Sequence, residues 1–137
     1  NTEIILPLHP RTYNKLTEEL HQSLWDKINH NEGLHIIDPV SFLDMIQLEK
    51  HARIIMTDSG GVQKEAYFFN KPCIVLRPET EWTELLETGK TILADANKEY
   101  ILSAYNQLKH ENNIQFPEIF GNGKAAEFIA KIILKNN

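Results

Sequence analysis

Short apolar runs alternate with longer amphipathic patterns along the whole chain. The apolar runs predict five strands, at Glu3–Leu8, Leu34–Ile37, Arg53–Thr57, Cys73–Leu76 and Thr91–Leu93. The amphipathic patterns predict six helices, at Thr12–Asn29, Ser41–His51, Gly60–Phe69, Thr83–Thr88, Lys98–Lys109 and Lys124–Leu134. Because strands and helices alternate with short connections, we expect an α/β fold with a doubly wound, Rossmann-like parallel sheet.

The length, net charge and residue types of the chain exclude several classes of protein. The 137 residues can form one domain with a hydrophobic core, and a net charge of −5 argues against a general nucleic-acid binder. No apolar run approaches the ~20 residues that span a membrane. The single Cys73 excludes an internal disulfide and fits a reducing cytoplasm, and the six histidines lack metal-ligand spacing. The chain lacks an initiator Met and enters a strand almost at once, so we expect a fragment of a longer protein.

The strands are followed by polar segments of unusual composition. Open parallel sheets bind ligands beyond the carboxyl ends of their strands, close to helix N-termini. Here the segments that follow the first four strands are His9–Thr12, Asp38–Ser41, Asp58–Gly61 and Arg77–Trp82. A ligand site is therefore expected on this rim of the sheet.

The segment TDSGG places Gly60 and Gly61 where a strand ends and a helix begins. A helix N-terminus offers unpaired N–H groups and a partial positive charge, and glycine lets a phosphate approach those donors. Glu65 follows Gly61 on the same helical face, about 6 Å further along the axis, which suits paired sugar hydroxyls. The spacing predicts a nucleotide with its phosphates over the glycines, its ribose beside Glu65, and Ser59 as a further phosphate ligand.

Simpler interpretations stay open for each of these residues. DSGG is also an ordinary turn and cap, without the GKS or GKT of a P-loop, and Glu65 alone is typical of a solvated helix charge. A His before a Pro, as at His9, is usually structural, and Arg11 is compatible with a surface charge. Met45 and Phe42 are of types that usually lie in a core, and they recur with Ile46 and Glu49 at near-helical spacing. Trp82 could cover the sheet edge.

The chain resembles the C-terminal half of the non-hydrolysing UDP-N-acetylglucosamine 2-epimerases. The resemblance is carried by TDSGGVQKEAYFFNKPCIVLRPETEWTELLETG, by PLHPRT and IIDPVSFLDMIQLEKHA before it, and by FGNGKAAEFI after it. It implies the two-domain glycosyltransferase-B architecture, with residues 1–137 as the UDP-binding domain and a catalytic N-terminal domain outside this chain.

The resemblance also implies roles for particular residues. Ser59, Gly60 and Gly61 match the diphosphate-binding turn, and Glu65 matches the carboxylate that holds the ribose hydroxyls. His9 matches the histidine of an HP motif near the phosphates, and Met45 matches a residue that packs on the uracil. The complete set of predicted UDP-binding residues is His9, Arg11, Met45, Ser59, Gly60, Gly61, Glu65 and Arg77.

One departure from the family pattern affects the sugar. Where many members read TTERPE, this chain reads ETEWTE, so Trp82 replaces an arginine. Glu81 and Trp82 are therefore predicted to lie on the substrate side. The ETEW sequence is similar to the branch that acts on UDP-2,3-diacetamido-2,3-dideoxyglucuronate.

The activity that the resemblance implies is epimerisation at C2 of a UDP-amino sugar. It proceeds by proton abstraction, UDP elimination and re-addition, in the synthesis of surface polysaccharide precursors.

No cofactor or metal is expected, and no catalytic residue is expected in this chain, which alone should be inactive. The expected partners are UDP or a UDP-amino sugar, the N-terminal domain, and a second copy in a cytoplasmic homodimer. Two alternatives stay open: the donor-binding domain of a glycosyltransferase, and a non-catalytic nucleotide-binding module.

Overall fold

The computed structural model describes residues 2–111 and 114–135. The chain divides into two compact units, Asn1–Ile46 and Gln47–Asn137. The first unit contains the elements β1 (Ile4–Pro7), α1 (Pro10–Glu19), α2 (Gln22–Asn29) and β2 (Leu34–Ile37). Helix α3 (Phe42–His51) crosses the division. The second unit contains β3 (Ile55–Thr57), α4 (Gly60–Phe68), β4 (Cys73–Val75), α5 (Thr83–Glu87), β5 (Thr91–Leu93), α6 (Lys98–Leu108) and α7 (Ala125–Lys135).

The pairing of the strands is parallel, as predicted. In the first unit β1 pairs with β2, with Ile4 opposite Leu34. In the second unit the strand order is β3-β4-β5, with Cys73 between Ile55 and Thr91. The α/β class with parallel strands is therefore confirmed, and the hydrogen-bonded strands form one two-stranded and one three-stranded sheet.

The prediction of one helix over Thr12–Asn29 is wrong, because two helices meet at Leu20 and His21. Both residues have extended backbone, with ψ of 136° and 137°. The Leu20 N–H donates to the Leu16 carbonyl and closes α1. The His21 ring nitrogen accepts from the Ser23 N–H at 3.4 Å and caps the start of α2. A histidine cap is uncommon, so amphipathic spacing alone concealed the break.

The core of the second unit lies on both faces of its sheet. Side chains of a strand alternate between the faces, and β4 buries Cys73, Ile74 and Val75 completely. Cys73 and Val75 pack with Ala66 of α4, while Ile74 packs in a cluster with Leu108 of α6. This two-sided packing is the doubly wound arrangement expected from the sequence, and it fixes α4 against the central strand.

Helix α4 ends in a turn that the sequence FNKP specifies. Asn70 adopts the left-handed conformation with φ of +55°, and the Lys71 N–H donates to the Ala66 carbonyl at 2.8 Å. The Asn70 side chain accepts a hydrogen bond from the Phe116 N–H at 3.1 Å. One residue therefore both ends the helix and holds a distant segment against it.

In the described part of the chain, no helix is both long and apolar enough to cross a bilayer. Helix α7 is apolar along one side, but Phe128, Ile129 and Ile132 are exposed.

We expect Asn70→Ala to lower the free energy of unfolding by about 1–2 kcal/mol, because alanine resists positive φ and cannot accept from Phe116. Asn70→Gly keeps the backbone conformation and should lose about half as much. Denaturant unfolding of the intact protein measures both values. Equal losses in the two variants would contradict the conformational part of this argument.

Candidate functional site

The polar residues at the end of β3 cap the start of α4. The Ser59 N–H donates to Thr57 Oγ1 at 3.0 Å, and Ser59 has extended backbone at the N-cap. Its hydroxyl accepts weakly from the Val62 N–H at 3.5 Å. Gly60 and Gly61 occupy the first helical positions, where N–H groups have no acceptor within the helix. Two backbone donors are therefore available next to an exposed hydroxyl.

The two glycines have different surroundings. A Cβ added at Gly61 would meet only Ser59 Oγ, at 3.7 Å, so this side of the turn is open. A Cβ added at Gly60 would overlap with Glu81 Oε1. The sequence interpretation gave both glycines the same purpose, which is to admit a phosphate. At Gly60 the missing side chain also leaves room for the Glu81 carboxylate, and the predicted role of Gly60 toward a phosphate stays a prediction.

The loop between β4 and α5 is fastened to α4 by side-chain hydrogen bonds. The Trp82 indole N–H donates to the Gly60 carbonyl at 2.9 Å. The Thr80 hydroxyl donates to the buried Gln63 at 2.6 Å and accepts from the Trp82 N–H at 3.1 Å. Arg77 and Glu81 form an ion pair at 3.0 Å. The structure thus brings Gly60, Arg77, Glu81 and Trp82 together, as their place on one predicted rim required.

Trp82 is held by aromatic and cationic neighbours as well. Its ring lies edge-on to Phe120 with centroids 5.8 Å apart. The Lys64 ammonium lies 4.3 Å from the Trp82 ring centroid and 4.2 Å from that of Phe120. Such cation–π contacts are worth about 0.5–2 kcal/mol each. Trp82 therefore packs against α4, and the substrate-side role of Trp82 and Glu81 stays a prediction.

Glu65 lies one turn into α4, half-buried, beside a second carboxyl that the sequence did not single out. Glu49 of α3 is only 4% exposed, and among the described residues neither of its carboxyl oxygens has a hydrogen-bond partner. Burial, and then the negative charge and hydrogen-bonding capacity of Glu65, raise the pKa of Glu49 to about 7. Burial also raises the pKa of the Cys73 thiol to about 12, with a further contribution from Glu49. The predicted sugar-binding carboxylate thus borders the buried carboxyl of Glu49.

The remaining predicted residues lie in the first unit. His9 is the exposed N-cap of α1, and its ring nitrogen accepts from the Arg11 N–H at 3.2 Å. The contacts of His9 are therefore those of a helix cap, and the binding roles of His9 and Arg11 stay predictions. Met45 is half-buried in α3, whereas its neighbour Phe42, expected in the core, is 69% exposed.

The sequence model for UDP-N-acetylglucosamine 2-epimerase matches residues 1–134. The chain belongs to the UDP-N-acetylglucosamine 2-epimerase family. It is 44% identical to the UDP-N-acetylglucosamine 2-epimerase of Methanocaldococcus jannaschii over 95% of this chain and 34% of that protein. It is 35% identical to the UDP-2,3-diacetamido-2,3-dideoxy-D-glucuronate 2-epimerase of Pseudomonas aeruginosa, over 96% of this chain and 35% of that protein.

A solved structure of a family member has the same fold. The M. jannaschii epimerase in complex with UDP-GlcNAc and UDP superposes with a TM-score of 0.78 at 42% identity, over 97% of this chain and 36% of that one. The family's solved structures have the glycosyltransferase-B fold, which confirms the predicted fold class. The chain spans about a third of the length of the relatives it matches.

Two features of this family member were missed by sequence reasoning. Glu49 is one position in the helical spacing of α3, and a lone acidic residue in a helix predicts an exposed charge. Gln63 is fully buried, and it anchors Thr80 although nothing in its spacing indicates this. Among the described residues no cluster of His, Cys, Asp and Glu could hold a metal ion.

The raised pKa of Glu49 has a consequence for stability. The pKa of this carboxyl is about 7 in the folded state and 4.5 in the unfolded chain, so its contribution to the stability of the fold is fully present below pH 4.5. That stability is lost as pH rises to about 7, because the folded protein must then carry a buried charge. We expect Glu49→Gln to raise the free energy of unfolding by about 1–3 kcal/mol at about pH 8 and to change it little near pH 4.5.

Denaturant unfolding at both pH values measures this difference. Glu99→Gln, on the exposed first turn of α6, is a matched control that should leave the pH dependence unchanged. A gain from Glu49→Gln that is equal at both pH values would contradict the assignment of the titration to Glu49.

Proposed function

We propose that this chain is the UDP-binding part of an epimerase that inverts C2 of a UDP-2-acetamido sugar. UDP-N-acetylglucosamine is the substrate that the relatives favour, since identity is 44% to an enzyme named for it and 35% to the diacetamido-glucuronate enzyme. The observation that carries the proposal is the open turn at Gly61, with Glu65 one turn further along the same helix.

The open side of the turn suits a diphosphate. The N–H groups at the start of α4 have no acceptor in the helix, and the helix dipole adds a partial positive charge there. Ser59 accepts through its oxygen from Val62, so its hydroxyl proton is free to point to a phosphate oxygen. The Glu81 carboxylate covers the side of Gly60, and its charge is offset by Arg77. The diphosphate is therefore proposed to enter from the side of Ser59 and Gly61.

Glu65 is proposed to accept hydrogen bonds from the two ribose hydroxyls. It lies about 6 Å along the helix from Gly61, which is about the distance between the phosphates and the ribose of a nucleotide. A carboxylate that accepts from two hydroxyls fixes the orientation of the nucleoside. His9, Arg11 and Arg77 are proposed as further phosphate-side groups, and Met45 as an apolar contact of the uracil.

The reaction explains why a binding domain matters for catalysis. Abstraction of the C2 proton with loss of UDP places negative charge on the leaving diphosphate, and return of UDP reverses this. Fixed amide donors that hold the departing charge lower the barrier to elimination. The groups that abstract and return the C2 proton are proposed to belong to the N-terminal domain, outside this chain. We therefore propose that this chain alone is inactive.

The biological setting follows from this activity. A UDP-2-acetamido sugar epimerase would supply precursors of surface polysaccharides. The proposed enzyme is cytoplasmic and homodimeric, with UDP or a UDP-amino sugar and the N-terminal domain as partners of this chain.

We expect Glu65→Gln to weaken UDP binding by about 10–100-fold, because an amide replaces a charged acceptor of two hydrogen bonds. Calorimetry on the intact protein measures the affinity, and Glu99→Gln is the control that should bind as the parent does. The variant should also discriminate less between UDP and 2′-deoxy-UDP. Unchanged discrimination would remove Glu65 from the ribose site.

We expect Gly61→Val to weaken UDP binding at least about tenfold and to leave uridine binding within about twofold, because the added methyl groups hold only the phosphates away from the amides. Since the added Cβ would meet only Ser59 Oγ, at the ordinary van der Waals distance of 3.7 Å, the fold should tolerate the change. Competition measurements with both ligands provide the comparison. Equal losses for uridine and UDP would place the diphosphate elsewhere.

A further inference from the structure

Glu49 is a buried carboxyl that lacks the partners such a group normally has. It is 4% exposed, and its two oxygens accept no hydrogen bond from the described residues. In the described part of the chain the ion pairs are Arg77–Glu81 and Lys90–Glu111, so no described Lys or Arg neutralises Glu49. The adjacent Lys50 extends over the Phe69 ring instead, 5.3 Å from its centroid. A charged Glu49 would thus be both desolvated and unpaired, which is costly.

The neighbouring carboxyl of Glu65 can supply the hydrogen bond that the Glu49 carboxyl lacks. Glu65 of α4 lies close enough to interact with it by charge and by hydrogen bonding. Two ionised carboxylates offer only acceptors, so neither can bond to the other until one takes up a proton. Carboxyl pairs of this kind share a proton, which resides on the group that is less able to reach water. That group is Glu49, because it is 4% exposed whereas Glu65 is only half-buried.

We propose that Glu49 is a positioning residue that, in its neutral form, donates a hydrogen bond to the Glu65 carboxylate and orients it for the ribose, so that binding of the uridine nucleotide takes up a proton. This inference rests on the function proposed above for Glu65. One Glu65 oxygen is fixed by the Glu49 proton, which leaves the remaining lone pairs for the ribose hydroxyls. The charge of Glu65 is kept and only its freedom to rotate is lost.

The direction of the pH dependence follows from charge. An ionised Glu49 repels Glu65 and adds negative charge near a ligand that is itself anionic, so the nucleotide prefers the neutral form. Among the described residues, the other titratable group that interacts with Glu49 is Cys73 of β4, whose pKa of about 12 keeps it a neutral thiol. Since the pKa of Glu49 is about 7, affinity should be constant at acidic pH and fall as pH rises through neutrality.

The test is calorimetry of the intact protein with UDP-N-acetylglucosamine from about pH 6 to about pH 8.5, in buffers of different ionisation enthalpy. UDP itself is unsuitable because its terminal phosphate titrates near pH 6. The parent protein should bind several-fold more weakly at the higher pH and take up a fraction of a proton near pH 7.5. Glu49→Gln keeps a neutral donor of similar shape, so its affinity should stay within about twofold across the range, without that uptake.

Two further variants separate positioning from general structure. Glu49→Leu removes the donor, so it should bind several-fold more weakly than Glu49→Gln at every pH. Glu99→Gln should retain the pH profile of the parent. Proton uptake is measured on the parent protein itself, so this test does not depend on whether any variant folds.

The outcomes distinguish this inference from the proposed function. If the parent binds the ligand and Glu65→Gln weakens binding, but Glu49→Gln still takes up the same fraction of a proton, a group other than Glu49 is responsible. The inference is then overturned and the function stands. If the parent takes up no proton, the inference is likewise wrong. If the parent does not bind the nucleotide, both proposals are wrong.

Discussion

The packing of α4 against the central strand β4 is the constraint on which the rest of the candidate site depends. Cys73, Ile74 and Val75 are completely buried, and Ala66 of α4 lies in the same cluster as Cys73 and Val75. Because α4 cannot slide on this surface without opening a cavity, its N-terminus is fixed at the carboxyl edge of β3. The amides of the first turn therefore point to one place, and the indole of Trp82 is hydrogen-bonded to the same turn.

The order of strands and helices was predictable because buried parallel strands are short apolar runs and helices have a longer period. The open turn at Gly61 and the placement of Glu65 on α4 could also be derived, since both depend on spacing within one helix. Contacts between distant segments could not be derived in this way. The carboxylate beside Gly60 comes from Glu81, and the half-buried carboxyl of Glu65 borders Glu49 of another helix. Local sequence carries no signal for such pairs.

The errors in secondary structure have the same cause. Amphipathic spacing continues through Leu20 and His21, yet a ring nitrogen of His21 caps a new helix. In α3 the spacing placed Phe42 and Glu49 on one face, but Phe42 is exposed and Glu49 is buried. From residue type alone, Phe42 is expected to be buried and Glu49 to be exposed. A carboxyl in such a position is tolerated when it is neutral. Its neutrality is favoured first by burial and then by Glu65, which lies 16 positions further along the chain.

Charge balance decides whether a site with three carboxyls can hold an anionic nucleotide. Each carboxyl is compensated in a different way: Glu81 by Arg77, Glu49 by a proton, and Glu65 by the hydroxyl donors of the proposed ribose. The positive end of α4 would then face the proposed diphosphate with little local negative charge opposing it. Each compensation fails under a different condition. High salt weakens the exposed ion pair, alkaline pH ionises Glu49, and removal of a ribose hydroxyl leaves Glu65 with an unfilled acceptor. The net charge of −5 therefore does not oppose the proposed diphosphate site, because the three carboxyls beside that site are compensated locally.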